Sequence, residues 1–171
     1  RVVRNSRSFL HIRKDPTMNA LTTSTSPDCF AARFGTPLPR ALRADADTMS
    51  WTTFTHRYSA GSSPIRLGTW TTSAAPGGRT TFDATFGIGD TIHTASATTH
   101  GPIDALTSML YDAGFHLEII SFHQQHLATG TQTATFVLCE FDGRRRWAMA
   151  IDGDATQSSI RALIGAANML H

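Results

Sequence analysis

Two stretches decide the fold: Thr80-Thr-Phe-Asp-Ala-Thr-Phe-Gly-Ile88 and the run from Thr131 to Phe141. In the first, Phe82, Ala84, Phe86 and Ile88 recur at spacing two, the period of a strand with one buried face. Gly89-Asp90 turns the chain, and Thr91-Ile-His-Thr-Ala-Ser-Ala97 is a further strand rich in β-branched residues. His100-Gly101-Pro102 then opens a helix, with proline at the first helical position, where no N–H is missed. Ile103, Leu106, Met109, Leu110 and Ala113 form its apolar stripe, and Gly114 stops it.

The same order returns downstream. Phe115 to Phe122 reads as a strand, Thr131 to Phe141 as the next and Asp142-Gly143 as a turn. Arg144 to Ile151 pairs back, and a helix runs from about Thr156 to Leu170. Upstream, Ile65-Arg-Leu67 and Trp70 lead into the turn Pro76-Gly-Gly78 and supply the missing first strand. A single offset of 54 superposes the halves, placing Phe82 on Phe136, Gly89 on Gly143, Ala97 on Ile151, Leu106 on Ile160 and Leu110 on Ile164. One offset that matches strand, turn and helix together marks an internal repeat. The fold class is α+β, two β-β-β-α units (65–114 and 115–171) related by a pseudo-twofold axis within a domain spanning 63–171. Each sheet has one apolar face and one helix to cover it. A unit of about 50 residues is marginal alone, so the two share a core, and the sheets are expected to pair again across a homodimer axis.

Ahead of the repeat, residues 29–62 read as a small helical linker subdomain. Arg40-Ala-Leu-Arg-Ala44 is a short helical patch. Ser50 can cap a second helix, Trp51 to Tyr58, in which Trp51, Phe54 and Tyr58 share a face. Residues 1–28 are a low-complexity tail, and Met18 is read as the true start.

That tail also misleads about charge. The net +2 of the 171 residues includes Arg1, Arg4, Arg7, Arg13 and Lys14 against Asp15. The body keeps ten basic and twelve acidic residues, with no excess to match a phosphate backbone, so nucleic acid is excluded as a partner. No apolar run approaches the roughly 20 residues of a membrane helix, so no membrane partner is expected. Cys29 and Cys139 lie far apart without a partner pattern and read as free thiols in a reducing cytoplasm.

Catalytic signatures are missing: no nucleophile elbow, phosphate-binding loop, zinc-protease helix or dinucleotide fingerprint occurs. No cofactor and no metal are expected. His116, His123 and His126 do not assemble the four ligands a structural zinc takes, and Arg144-Arg-Arg146 reads as a charged guard on a hairpin edge. The turns that precede the two helices carry more content. Thr98-Thr-His-Gly-Pro102 delivers the chain onto a helix N-terminus, whose free N–H groups attract a carboxylate. Its repeat mate, Asp152-Gly-Asp-Ala155, brings two carboxylates. Brought together, the turns would frame a free α-amino acid; ordinary N-capping by Asp154 or Thr156 reads the same residues.

His100-Gly-Pro-Ile-Asp-Ala105, Ala113-Gly-Phe115, Ile119 to Leu127 with Gly130, and Trp147 to Asn168 resemble the C-terminal regulatory domain of α-isopropylmalate synthase. Typical members read G-N-G-P before the first helix and D-Y-x-E-H-A-L in the fourth strand, and close on a helix ending A-x-N. Pro37 to Leu42 and Met49 to Tyr58 resemble that family's linker subdomain. The resemblance implies a dimeric, non-catalytic module of leucine biosynthesis that binds leucine between its units, with a full-length synthase as a further partner. It implies a site built from Thr99, His100, Gly101, Ile103 and Asp104 of the first turn. Phe122, His126, Thr133 and Thr135 would join from the strands, and Ile151, Asp152 and Gly153 from the second turn. The catalytic barrel needs about 250 residues and is not among these 171. Thr99 replaces a family glycine, and Asp104, His126, Thr133 and Thr135 stand where small alanines are usual. That lining is compatible with leucine, with a more polar amino acid, or with no effector, the last leaving an assembly partner for a separately encoded synthase.

Overall fold

The computed structural model describes residues 27–59, 61 and 64–171; the expected tail and the Met18 start lie outside them. Three short helices open the chain, α1 (Cys29–Phe34), α2 (Arg40–Ala46) and α3 (Trp51–Tyr58). Two β-β-β-α units follow. The first is β1 (Ile65–Ala75), β2 (Arg79–Ile88), β3 (Thr91–Thr99) and α4 (Pro102–Asp112). The second is β4 (Glu118–His126), β5 (Thr133–Phe141), β6 (Arg144–Asp152) and α5 (Ala155–Leu170). Each unit forms its own antiparallel sheet, in the orders β1-β2-β3 and β4-β5-β6. The α+β duplication read from the sequence is therefore the architecture. Among the described residues, no helix is long and apolar enough to cross a membrane.

The repeat register differs from the sequence expectation by one residue. Ile88 pairs with Thr91 across the first hairpin and Phe141 with Arg144 across the second, a displacement of 53 rather than 54. The helix caps Gly101 and Asp154 stand at the same displacement. Both first strands also carry one extra residue at one level, between Leu67 and Trp70 opposite Phe86 and Ala84, and between Ile119 and Ser121 opposite Cys139 and Leu138. An offset of 54 aligns the amphipathic helices nearly as well, because their apolar stripes are broad. In a strand, however, a slip of one residue exchanges the two faces. Phe136 accordingly is not the counterpart of Phe82; Thr135 is.

The consequence is a difference in covering. Phe82, Ala84 and Phe86 enter a core shared with α4, α5, Val137, Cys139 and Ala148. Ala134 and Phe136 point the other way, into a second cluster with Phe30, Leu42, Phe54, Tyr58, Trp147 and Met149. The second sheet thus has two apolar faces, one under α5 and one under α1–α3, where one was expected. The run Thr133 to Val137 is buried throughout, so its alternation is invisible in hydropathy.

Two elements depart from their expected bounds. A helix forms over Cys29–Phe34, where no helix was foreseen, because Asp28 caps it by accepting from Ala31 N at 2.7 Å and Gly35 ends it at φ 69°. The fourth strand runs Glu118–His126 rather than 115–122. Gly114, at φ 90°, folds residue 115 back so that Phe115 N donates to Leu110 O at 2.8 Å, which delays the strand. At the bulge in β1, Gly68 is required by space, since a Cβ there would overlap Thr85 Oγ1. Asn168 joins the units by accepting from Ile65 N at 2.8 Å and donating to Ile65 O at 3.0 Å.

Cys139 is wholly buried, and burial pushes its thiol up to about 12. Burial also raises the Tyr58 phenol, against the lowering influence of Arg57. Both groups hold their protons more tightly folded than unfolded. Their contribution is complete below the unfolded values, about 8.5 for Cys and about 10 for Tyr, and is lost as pH rises toward the folded ones. The urea midpoint is therefore expected to fall from about pH 9 upward, and Cys139→Val to flatten the first part of that fall. A midpoint constant to about pH 11 would contradict it.

Candidate functional site

The first helix-leading turn is built on β3 and α4. Thr99 Oγ1 donates to Gly101 O at 2.8 Å, and Gly101 is the N-cap of α4 at φ −157°, ψ 159°. That is extended backbone, so neither Thr99 nor Gly101 uses glycine's freedom here and the threonine is accommodated. His100 and Asp104 are exposed, and Ile103 is half-buried against the shared core. Ile103 and Asp104 line a shallow cavity of about 480 Å³ with Thr107, Tyr111, Leu117 and Glu118.

In the second turn the carboxylates are already engaged. Asp154 caps α5, accepting from Gln157 N at 2.8 Å. Asp152 Oδ1 accepts from Asp154 N at 3.1 Å, and its Oδ2 lies 3.4 Å from Arg161 Nε. The Arg161 side chain is 60% exposed, so that pair is a weak competitor for a ligand ammonium. Gly153 is exposed.

Between the turn and the sheet lies a polar cluster that the sequence reading named only in part. Thr135 and Thr133 are buried, and their neighbours on the same face are Gln124 and His126 of β4 and Asp152 of β6. Thr133 Oγ1 and His126 Nδ1 are 3.0 Å apart. Gln124 Nε2 is within 2.9 Å of Thr135 Oγ1, Ala155 O and Ser159 Oγ, and Ser158 Oγ donates to Thr135 Oγ1 at 2.7 Å. Gln124, Ser158 and Ser159 were not foreseen. The signal was present: at a displacement of 53, Ser158-Ser159 replaces the buried Ala105-Leu106 of the first unit, and Thr135 replaces Phe82. The second unit has exchanged apolar volume for hydroxyls at one level of its core.

The remaining expected residues are dispersed. Phe122 shares the face of Val137 but is 42% exposed at the sheet edge. Ile151 points to the opposite face, toward α1–α3, and lines a cavity of about 630 Å³ with Trp51, Ile65, Met149, Arg161 and Ile164. The structure therefore brings His126, Thr133, Thr135 and Asp152 together. No hydrogen bond among the described residues joins that group to the first turn.

A family model for the LeuA allosteric (dimerisation) domain matches residues 45–171, from the end of α2 through α5. The chain belongs to that family. Its LeuA domain is similar to 2-isopropylmalate synthase of Leifsonia xyli subsp. xyli, 32% identical over 107 residues, which are 61% of this chain and 18% of the relative. It is 30% identical over 99 residues to 2-isopropylmalate synthase of Clavibacter sepedonicus, covering 57% of this chain and 17% of that one. With the Mycobacterium ulcerans synthase it shares 28% identity over 122 residues, 69% of this chain and 22% of the relative. The chain thus spans about a fifth or less of the length of these relatives. As a LeuA domain it corresponds to the regulatory rather than the catalytic part of such a synthase.

Proposed function

We propose that the chain acts as a homodimeric, non-catalytic cytoplasmic module of leucine biosynthesis that binds a free amino acid, leucine or a more polar analogue. The observation that carries this reading is the second turn with the polar cluster beside it: a capped helix N-terminus and Asp152 next to a compact set of hydroxyls. The dimer rests on the family and on the edge strands β3 and β4, where Ile92 of β3 is 78% exposed and Ile120 and Phe122 of β4 stand out of the surface. A second copy laid along those edges would cover them and supply the wall that separates the effector site from water. Thr99, His100, Gly101, Ile103 and Asp104 would enter the site from the first turn, with Phe122 and Gly153 at its margins.

Titration calorimetry against leucine and the other amino acids tests this. Heat is expected from leucine or a more polar amino acid, with Asp152→Asn weakening it about tenfold through loss of the carboxylate partner. A flat trace for every amino acid excludes the effector role. The hydroxyl network favours one second reading, because Gln124, Thr135, Ser158 and Ser159 satisfy one another and leave less room for an apolar side chain. In that reading the effector site has decayed and the chain is an accessory subunit of a separately encoded 2-isopropylmalate synthase. Co-purification with such a synthase, combined with the flat trace, would select it.

A further inference from the structure

A groove where α3 meets the edge of β6 belongs to neither reading above. Its walls are Arg57 and Tyr58 of α3, Arg145, Arg146 and Trp147 of β6, and Asp45 of α2, around a cavity of about 500 Å³. The Arg144-Arg-Arg146 run, expected to be a plain edge guard, thus contributes two guanidiniums to a concave surface. Arg145 is committed, its Nε donating to Glu140 Oε2 at 2.5 Å. Arg146 uses one N–H on Arg145 O at 2.8 Å and keeps the rest of its five donors. Arg57 lies 5.6 Å from the Tyr58 ring centroid and has no ion pair among the described residues. Among the described residues, two guanidiniums without an ion pair therefore share the groove with one carboxylate, Asp45.

The floor supplies the independent observation. Tyr58 is only 4% exposed, and its hydroxyl has no hydrogen-bond partner among the described residues. Tyr58 itself lines this groove, beside Arg57 and Asp45. Buried donors without a partner are rare in native proteins and call for a specific reason. Trp147, 7% exposed, gives the groove a flat apolar side.

We propose that this groove binds a small oxyanion, a phosphoryl or carboxylate group, held by the Arg57 and Arg146 guanidiniums with the Tyr58 hydroxyl as a third donor. Planar guanidinium forks match the paired oxygens of either group, and a partly enclosed site strengthens each charge-assisted bond. The site shares no residue with the proposed effector pocket, so each stands or falls separately.

Thermal unfolding of the full chain in dilute chloride buffer, with inorganic pyrophosphate in one arm and citrate in the other, tests the proposal. The transition is expected to rise with the logarithm of the concentration of at least one anion, and the responding arm separates phosphoryl from carboxylate chemistry. Tyr58→Phe removes a hydroxyl without a partner among the described residues, so its anion-free transition should be unchanged or higher while binding weakens about tenfold. The Arg57→Gln, Arg146→Gln double variant should abolish the response. No rise with either anion, or a rise kept in full by Tyr58→Phe, would overturn it.

Discussion

Phe136→Ala is expected to lower the unfolding free energy by about 3–5 kcal/mol, the range for emptying a large aromatic site. Phe136 is fully buried, and its ring meets Phe30 edge-on with centroids 5.2 Å apart. Its neighbours in the cluster, Phe54, Trp147 and Met149, belong to elements fixed elsewhere, so the cavity cannot collapse cheaply. Urea unfolding gives the magnitude, and hydrogen exchange gives the place. Protection should fall first in α1–α3, which this ring anchors to the second sheet, while α4 stays protected. Phe82→Ala has a similar expected cost but the opposite map, because Phe82 packs into the core shared by α4 and α5. If Phe136→Ala instead exposed α4, the displacement of 53 would be wrong and the two phenylalanines would be counterparts after all.

Asp28→Ala is expected to destabilise by about 2–4 kcal/mol, more than an ordinary cap. Its carboxylate, 6% exposed, accepts from Ala31 N at 2.7 Å and from Leu38 N at 3.1 Å, and lies 3.5 Å from Arg43 Nε. One residue therefore caps α1, satisfies a buried N–H ten positions on and neutralises a cation of α2. Alanine would strand the Leu38 N–H and leave Arg43 without its counter-ion. Asp28→Asn keeps an acceptor and should lose roughly half as much, the remainder reporting the charge. Equal losses for both variants would show that the charge contributes nothing, and no loss for alanine would remove the capping account.

How much of this was legible beforehand follows from which signals are local. The hairpins were, since Gly89-Asp90 and Asp142-Gly143 announce turns and Phe82, Ala84 and Phe86 alternate cleanly. The caps Ser50 and Asp154 were legible too, because a side-chain oxygen facing an N–H three residues on is a short-range event. Of the polar cluster beside the second turn, His126, Thr133 and Thr135 were named through the family resemblance, and Asp152 also as a carboxylate of a helix-leading turn. Ser158 and Ser159 went unseen because an offset of 54 laid them on Asp104 and Ala105 instead of Ala105 and Leu106.

By itself, then, the sequence determined the duplicated β-β-β-α order, the helical approach to it and the family it resembles. Tertiary structure alone decided which face of β5 each side chain takes, that α1–α3 close the outer face of the second sheet, and where Ile151 points. The reason is physical: in Thr133 to Val137 both faces are buried, so hydropathy carries no phase, and only the hydrogen-bonded register across the Asp142-Gly143 hairpin supplies one.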